Sequence, residues 1–531
     1  MMIHTLRFCL LTGILLLWAA ALCGQRDDVP ARATWGEELT EPAGTRITKA
    51  IAVNKEGFYM LRRKNEGALS NEQAYLEYYD TGMRLRKSEQ LDLKYKGKRR
   101  DFEDVAMIGG QLYLFTSFNN QAQKKNYLFY QKVSKRLQAS RDLVMISEVE
   151  APNKAREGAF NLVISGDSSK VLLYSQLPYQ KKDPERFAIS VFDNQMNKLW
   201  SRDIILPYSD QQFGVEDYRI DEQGNVYLMG VLYVDGVRER RRGRPNYQYV
   251  ILAYTQQGED VQEYHVALEN KFITDLAFRI ADDGNLVCAG FFSEKGAYSV
   301  KGTCFFKLNA RTKEIYNLNF KEFDFEFRTE FMRPAELRRA SRAEASGDAN
   351  RAPELYRFSL DELVLRSDGG AVLVAEQFFV FERAYRYWDG TLRFDYFYNY
   401  NDIIVVNIQP DGGIEWATRI PKRQETMNDG GYYSSYAMSI VRDRLYFIFN
   451  DNSRNFADDG SGRLYNFNGR NSIVALAELR KDGQLRMYPL FNNRDAEVLT
   501  RPKICKQTGS RRMMVYGERG RQYRFAELVF E

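Results

Sequence analysis

Hydrophobic residues along the chain alternate with polar ones in short runs, and the runs come in a recurring order. A strand-like run is followed by a tight glycine or polar turn, a second run, a longer variable loop, a third run, a tight turn and a fourth run. The beat is plain in IADDGNLVC at 280–288, VLRSDGGAVLV at 364–374 and IQPDGGIEW at 408–416. Alternation with period two marks half-buried strands, and Asp-Gly or Gly-Gly between two such runs marks a hairpin. A repeat of roughly 45–65 residues holding four short strands is the sequence signature of a β-propeller. The pattern therefore predicts an all-β fold in one closed β-propeller.

Taking each unit as strands a to d from the centre outward, the first uses 47–53, 57–63, 74–80 and 84–93. The next six cover 101–149, 158–206, 213–268, 271–320, 356–422 and 432–491. Beyond them only three strands remain, at 501–506, 512–517 and 522–530. The missing fourth is expected at the other end of the chain. Trp35 in ATWGEEL resembles Trp200 in KLWSRDI and Trp416 in IEWATRI, both on fourth strands. An N-terminal strand joining the last unit closes the ring and covers two edges that would otherwise invite aggregation. The count is then eight four-stranded blades, with seven the alternative if one unit has been split wrongly.

The turns sort by face. The a–b and c–d turns are short throughout, as at 55–57, 109–110, 282–284 and 481–483. The length lies in the b–c loops at 118–125, 178–186, 234–246, 381–401 and 451–471, and in the d–a connections at 321–355 and 423–431. The main insertions into the 25–531 propeller domain are thus 234–246, 321–355, 381–401 and 451–471. Long loops on a rigid scaffold are where binding concentrates. The decorated face is the expected working face.

Composition narrows the functional classes. Residues 1–24 read as a cleaved export signal: Arg7, an apolar core from Leu10 to Leu22, and small residues at Ala19–Ala21. A lipid anchor through Cys23 is the alternative, disfavoured because Leu22 stands where a small residue is wanted. No later run is long and apolar enough to span a bilayer, and no anchoring domain is expected after the closing strand. The protein is expected in the periplasm or outside the cell. Lys and Arg total 76 against 71 Asp and Glu, a net +5, which offers no footprint for nucleic acid. Only two histidines are present. With His4 in the leader, His265 on an outer strand is left, too little for a His-based triad or a His-rich metal site.

Cys288 and Cys304 sit symmetrically about Gly296. An antiparallel register centred there puts them opposite each other, where a disulfide is geometrically possible. Two buried free thiols are the competing reading. Cys505 reads as a core thiol. No C-x-x-C spacing exists, and no metal site is expected; the acidic turn at 458–462 lacks the alternating ligands of a calcium loop.

The turn-then-tryptophan pattern in FDNQMNKLW at 192–200 and IQPDGGIEW at 408–416 resembles the repeats of quinoprotein-type propellers. That resemblance implies the propeller fold and admits either cofactor-dependent dehydrogenases or cofactor-free scaffolds of the bacterial envelope. The dehydrogenases carry a catalytic Asp, a calcium site and usually a vicinal disulfide. This chain has no adjacent cysteine pair, so the scaffold side is favoured, with neither a cofactor nor catalytic residues expected.

Three features on the decorated face are candidates. FERAYRYWDGTLRFDYFYNY at 381–400 reads as a β-ribbon with Asp389-Gly390 at its tip, rich in the Tyr, Trp and Arg of interface hot spots. The basic run at 237–245 suits an acidic partner but reads more simply as a solvated loop. The stretch at 333–345 reads as a helix, with Pro334 in its first turn, a thin Leu337/Ala340 stripe and Gly347 at its stop. The binding residues expected are Arg383, Tyr385, Tyr387 and Trp388 on the ribbon, and Asn428, Asp429, Tyr432, Tyr433 and Asn452 at the channel mouth beside it. The expected function is a non-catalytic scaffold, monomeric alone, that binds a protein partner in the envelope or extracellular space. A glycan-binding or glycan-cleaving protein using the aromatic and polar cluster is the alternative.

Overall fold

The computed structural model describes residues 29–64, 73–178, 182–234, 236, 238–241, 243–266, 271–309, 311–312, 314–348, 351–388, 391–457, 463–469 and 472–531. The leader at 1–24 with Cys23, the Asp389-Gly390 tip, the 458–462 turn, and residues 237 and 242 of the basic run lie outside the described residues.

The chain is all-β. Among the described residues it forms seven four-stranded antiparallel sheets in chain order, and an eighth whose first and last positions are each made of two pieces. Within each sheet the strands follow one another in sequence, as in a propeller repeat. In the eighth, Ala31–Trp35 pairs with the last strand, Gln522–Phe530, in the register Ala31 opposite Phe530 to Trp35 opposite Ala526. Leu39–Thr40 continues along the same edge. The strand expected to be missing at the C-terminus is therefore supplied by the N-terminus.

The core is divided rather than central. Eight clusters of buried side chains each span two consecutive sheets, and one of them joins sheet eight to sheet one. That joining cluster brings Ile47, Phe58 and Tyr79 against Met514, Tyr516 and Phe525. Strands b and c carry most of this apolar surface: Leu286–Ser293 and Ser472–Leu479 are buried at every position. Such unbroken burial arises when both faces of a strand pack on neighbouring sheets.

Two of the repeat's tryptophans clamp their own sheet to the next. The Trp200 indole donates to the Gly224 carbonyl (3.1 Å), and the Trp416 indole to the Lys481 carbonyl (2.8 Å), both on the following sheet. A Cβ on Gly258 or Gly483 would lie 2.9 Å from these rings, so the c–d turn must be glycine where the indole crosses it. In sheet five Asn319 takes the same place. It donates to the Asp411 carbonyl at 3.1 Å and packs against Gly412.

Several expectations need correction. Cys288 faces Phe306 and Cys304 faces Gly290, so the two cysteines are offset by two residues, and both are free. The offset arises because Ser299–Val300 leaves the hairpin to pair with Leu355–Tyr356, which makes the connection asymmetric. Burial raises both thiols, Cys304 to about 12. The expected strand at 501–506 is interrupted by a 3-10 turn at Pro502–Ile504, where proline supplies no ladder donor. The expected 118–125 loop is only a short turn, since its strands run to Asn120 and from Lys125. One c–d connection, 134–143, is longer than the rest.

Candidate functional site

The largest departure from the repeat is in sheet six. Its strands b and c, Ala371–Arg386 and Leu392–Ile408, stay paired well beyond the sheet's body, to Arg386 opposite Leu392. Strand d, Ile414–Met427, follows only as far as Met427 opposite Phe397. The result is a ribbon with exposed apolar side chains on both faces, tied to the d–a connection at Asp395 and Tyr396. One face shows Val380, Phe394 and Leu392. The other shows Phe381, Tyr385 and Met427. Trp388 near the tip is 86% exposed. Of the expected residues, Arg383 is paired with Asp395 at 3.0 Å and lies 5.2 Å from the Phe397 ring centre. Tyr387 is covered on one side by Arg393 at 3.8 Å.

The expected channel-mouth residues are arranged differently. Asn428 accepts from the Tyr396 amide (2.8 Å) and donates to Asp395 (3.1 Å), which pins the d–a connection to the ribbon. Asp429 caps its own segment through Thr426 and the Gly431 amide. Tyr432 lies under Arg501 at 3.7 Å, and its neighbour Tyr433 donates to Glu518 at 3.2 Å. Asn452 holds Arg454 and Asn466 inside the following loop. The ribbon residues therefore form one group and these another, with Asn428 linking them.

Behind the second group lies a buried polar core. Lys422, fully buried, contacts Glu376 at 2.7 Å and donates to the Tyr400 carbonyl and to Gln424. Gln424 in turn donates to the Asn450 carbonyl and accepts the Ser435 amide. Burial lowers the Lys422 ammonium despite Glu376. It lowers Lys503 as well, whose amine donates to the Tyr400 hydroxyl at 2.8 Å across to sheet eight. A charge without water is stable only when fully paired, and this core ties sheets six, seven and eight together.

At the ribbon's foot is a cleft of about 1190 Å³. Its walls are the ribbon base at Asn399 and Asn401, the loop after strand b of sheet seven, and the 321–355 insertion. Helix α1 (Phe325–Thr329) and helix α2 (Pro334–Ala345) form that insertion. Helix α2 was legible, but the side chains it buries are Ala340 and Ala343, while Leu337 stays 38% exposed. The insertion is not loosely attached. Arg328, almost fully buried, donates to the Phe323 and Pro353 carbonyls and pairs with Glu344 at 2.8 Å. Arg333, Arg423, Arg454 and Arg463 line the cleft against Glu330 and Glu425. Asp402, also there, is occupied by Arg419 at 2.6 Å.

A second group of residues missed at first lies on the innermost strands. In five of the first six sheets strand a carries a bulge that leaves a polar residue, Thr48, Glu103, Glu216, Thr274 or Asp361, without a partner on strand b, and sheet one has a second bulge at Ile51. Strand-a side chains otherwise face adjacent sheets, and a bulge turns one of them out of that packing. Glu103, Glu216 and Asp361 each keep an exposed surface, although neighbouring groups displace part of the water around Glu103 and Asp361. Burial raises Glu103, and it raises Asp361 to about 7, with Tyr436 accounting for part of the opposing pull. The following residue links sheets: Lys49 to Asp104 at 2.8 Å, and Asp275 to the Leu360 amide at 2.7 Å. The signal was in the sequence. Each of these five bulges is a pair of polar residues breaking the alternation: Thr48-Lys49, Glu103-Asp104, Glu216-Asp217, Thr274-Asp275 and Asp361-Glu362; the second bulge of sheet one, at Ile51, carries no such mark.

No family model matches this chain, and no curated protein does. Solved structures similar to it include β-propellers. One is the β-propeller domain of the Trilobed protease from Pyrococcus furiosus, at 9% identity and a TM-score of 0.34, covering 83% of this chain and 97% of that one. Another is the WD40 domain of SCAP from fission yeast, at 7% identity and a TM-score of 0.27, covering 81% and 92%. A third is an α-L-arabinanase of Penicillium chrysogenum, at 9% identity and a TM-score of 0.29, covering 66% and 93%. Scores this low carry no argument about activity. The β-propeller reading rests on the order of the sheets and on the core clusters they share.

Proposed function

We propose that this chain is an exported, non-catalytic β-propeller of eight blades, closed into a ring by its N-terminal strand, that binds a protein partner in the cell envelope. The face carrying the ribbon and the cleft does the binding. The observation that carries this reading is the ribbon itself. A two-faced apolar hairpin standing clear of its sheet has an unfavourable surface in water, and exposed patches of that kind mark interaction sites. Tyr, Trp and Arg, which dominate it, lose little conformational entropy on docking and are the usual anchors of interfaces.

The test is a trimmed chain in which 381–397 is replaced by an Asn-Gly turn. It would join Val380 to Tyr398, which lie opposite each other. The trimmed protein should remain folded with a cooperative melt, lowered only by the loss of the Asn428 tie, and lose the partner that the intact chain retains on co-purification from its own envelope. Undiminished recovery would remove the ribbon from the binding face.

A further inference from the structure

The ribbon has an open edge as well as open faces. Strand b of sheet six is paired on its inner side only up to Gln377, opposite Phe358 on strand a. The Phe378 amide then donates to the Arg357 carbonyl, which fixes the direction of the backbone groups that follow. Amides at even positions point to that open inner edge, while odd positions point to strand c, as the Tyr387 amide does in donating to Thr391. From 380 to 386 no strand among the described residues lies along the inner edge. The edge has no proline and no lysine, the usual guards of an uncovered strand.

We infer, building on the reading just proposed, that this edge accepts an extended segment of the partner as an added strand. That segment is apolar at alternate positions and acidic where it reaches the cleft. Added strands bind through main-chain hydrogen bonds, with side-chain surfaces on either side giving selectivity. Val380, Glu382 and Ala384 offer the backbone groups, and the apolar ribbon faces extend beside them. The occupant is macromolecular in scale. With roughly 150–250 Å² per aromatic side chain, the exposed aromatic and aliphatic groups approach the roughly 800 Å² that one partner gives to a standard interface.

Charge sets the segment's end. Gln377, where the open edge begins, also lines the cleft. A segment running antiparallel to strand b passes Arg386 first and arrives at Gln377 last. There it meets a wall carrying Arg423, Arg454 and Arg463 beside the carboxylates Glu330 and Glu425, Arg333 being held by Glu336 and Asp402 by Arg419.

A displayed library of random 12-residue peptides, selected on the intact chain, supplies the probe. Selected peptides should show alternating apolar residues with Asp or Glu near the C-terminal end. Ala384→Pro removes an edge-facing donor without touching the ladder to strand c, and should weaken the selected peptides at least tenfold. Arg423→Glu should weaken the acidic ones preferentially. Peptides that bind the Ala384→Pro variant undiminished, or a selection that yields no alternating sequence, would overturn the added-strand assignment. The 381–397 trimmed chain separates the two ideas. If it still binds the peptides, the ribbon reading itself fails; if it loses them while Ala384→Pro does not, only the edge assignment fails.

Discussion

At the scale of single residues, the chain places charge where water is scarce and satisfies it locally. Arg62 is fully buried and reaches Glu77 at 2.7 Å and Glu41 at 2.9 Å, with the Tyr523 ring 4.7 Å away. Burial alone would lower its guanidinium; the Glu77 carboxylate outweighs that and holds it well above the ordinary range. Arg62→Met should cost about 3–5 kcal/mol, because two carboxylates are left buried without a partner; urea unfolding measures it. A loss below about 1 kcal/mol would mean the carboxylates find water or protonate cheaply. A second case depends on pH. Glu185, buried at a bulge in strand c of sheet three, is raised by burial and by a hydrogen bond with Asp210. The folded state then holds a proton that the unfolded state releases at its ordinary value near 4.5. Stability from this site is present below that value and declines as pH climbs toward the raised one. Asp361, Asp275 and Asp451 add slopes of the same sign. Glu185→Gln should therefore flatten, not abolish, the fall in melting temperature between pH 5 and 8. An unchanged slope would show that the pair holds no extra proton.

At the scale of elements, the interblade clamp explains a pairing of sequence features that look independent. A tryptophan on strand d needs glycine in the next c–d turn, because the indole lies across that turn. Gly483 sits at φ +81° with the Trp416 ring 2.9 Å from where a Cβ would stand. Gly483→Ala should destabilise by about 1–2 kcal/mol from the left-handed backbone alone, with more from the displaced ring. Restoring space by Trp416→Ala in the same chain should recover part of that second share and none of the first; additive losses in thermal melts would argue against the clamp. These turns and strands were legible because alternation and Asp-Gly turns are local. The inner-strand bulges were equally local, but strand alternation was read as if unbroken, so Glu103, Glu216 and Asp361 passed unnoticed. The Cys288–Cys304 register could not be read locally. It depends on Ser299–Val300 pairing with Leu355–Tyr356, more than fifty residues away in sequence. The cleft is non-local in the same way, since its arginines come from two separate insertions and from strand d of sheet six, and converge only once Arg328 has fastened the helical insertion.

At the scale of the whole molecule, the first and last described residues meet in sheet eight. The Glu531 amide donates to the Pro30 carbonyl at 3.0 Å, and Ala31–Trp35 covers the outer edge of Gln522–Phe530. The same N-terminal segment then delivers Glu41 to Arg62 in sheet one and to the Tyr516 hydroxyl in sheet eight. One segment thus finishes the last sheet and fastens it to the first. Most of its value should lie in that geometry and little in its position along the chain, which a permuted protein can separate. Starting the chain at Thr45 and carrying residues 29–44 after Glu531 through a short turn keeps the contacts of that segment, because Pro30 and Glu531 already lie side by side. That permutant should melt within a few degrees of the parent. Simply omitting residues 29–44 should instead remove Glu41 from Arg62, uncover the outer edge of Gln522–Phe530, and produce a protein that melts lower and self-associates on sizing. If the truncated chain matched the parent in both respects, the joining of sheet eight to sheet one would owe nothing to the N-terminal strand; if the permutant failed as badly as the truncation, the segment would matter for the order of folding rather than for the folded structure.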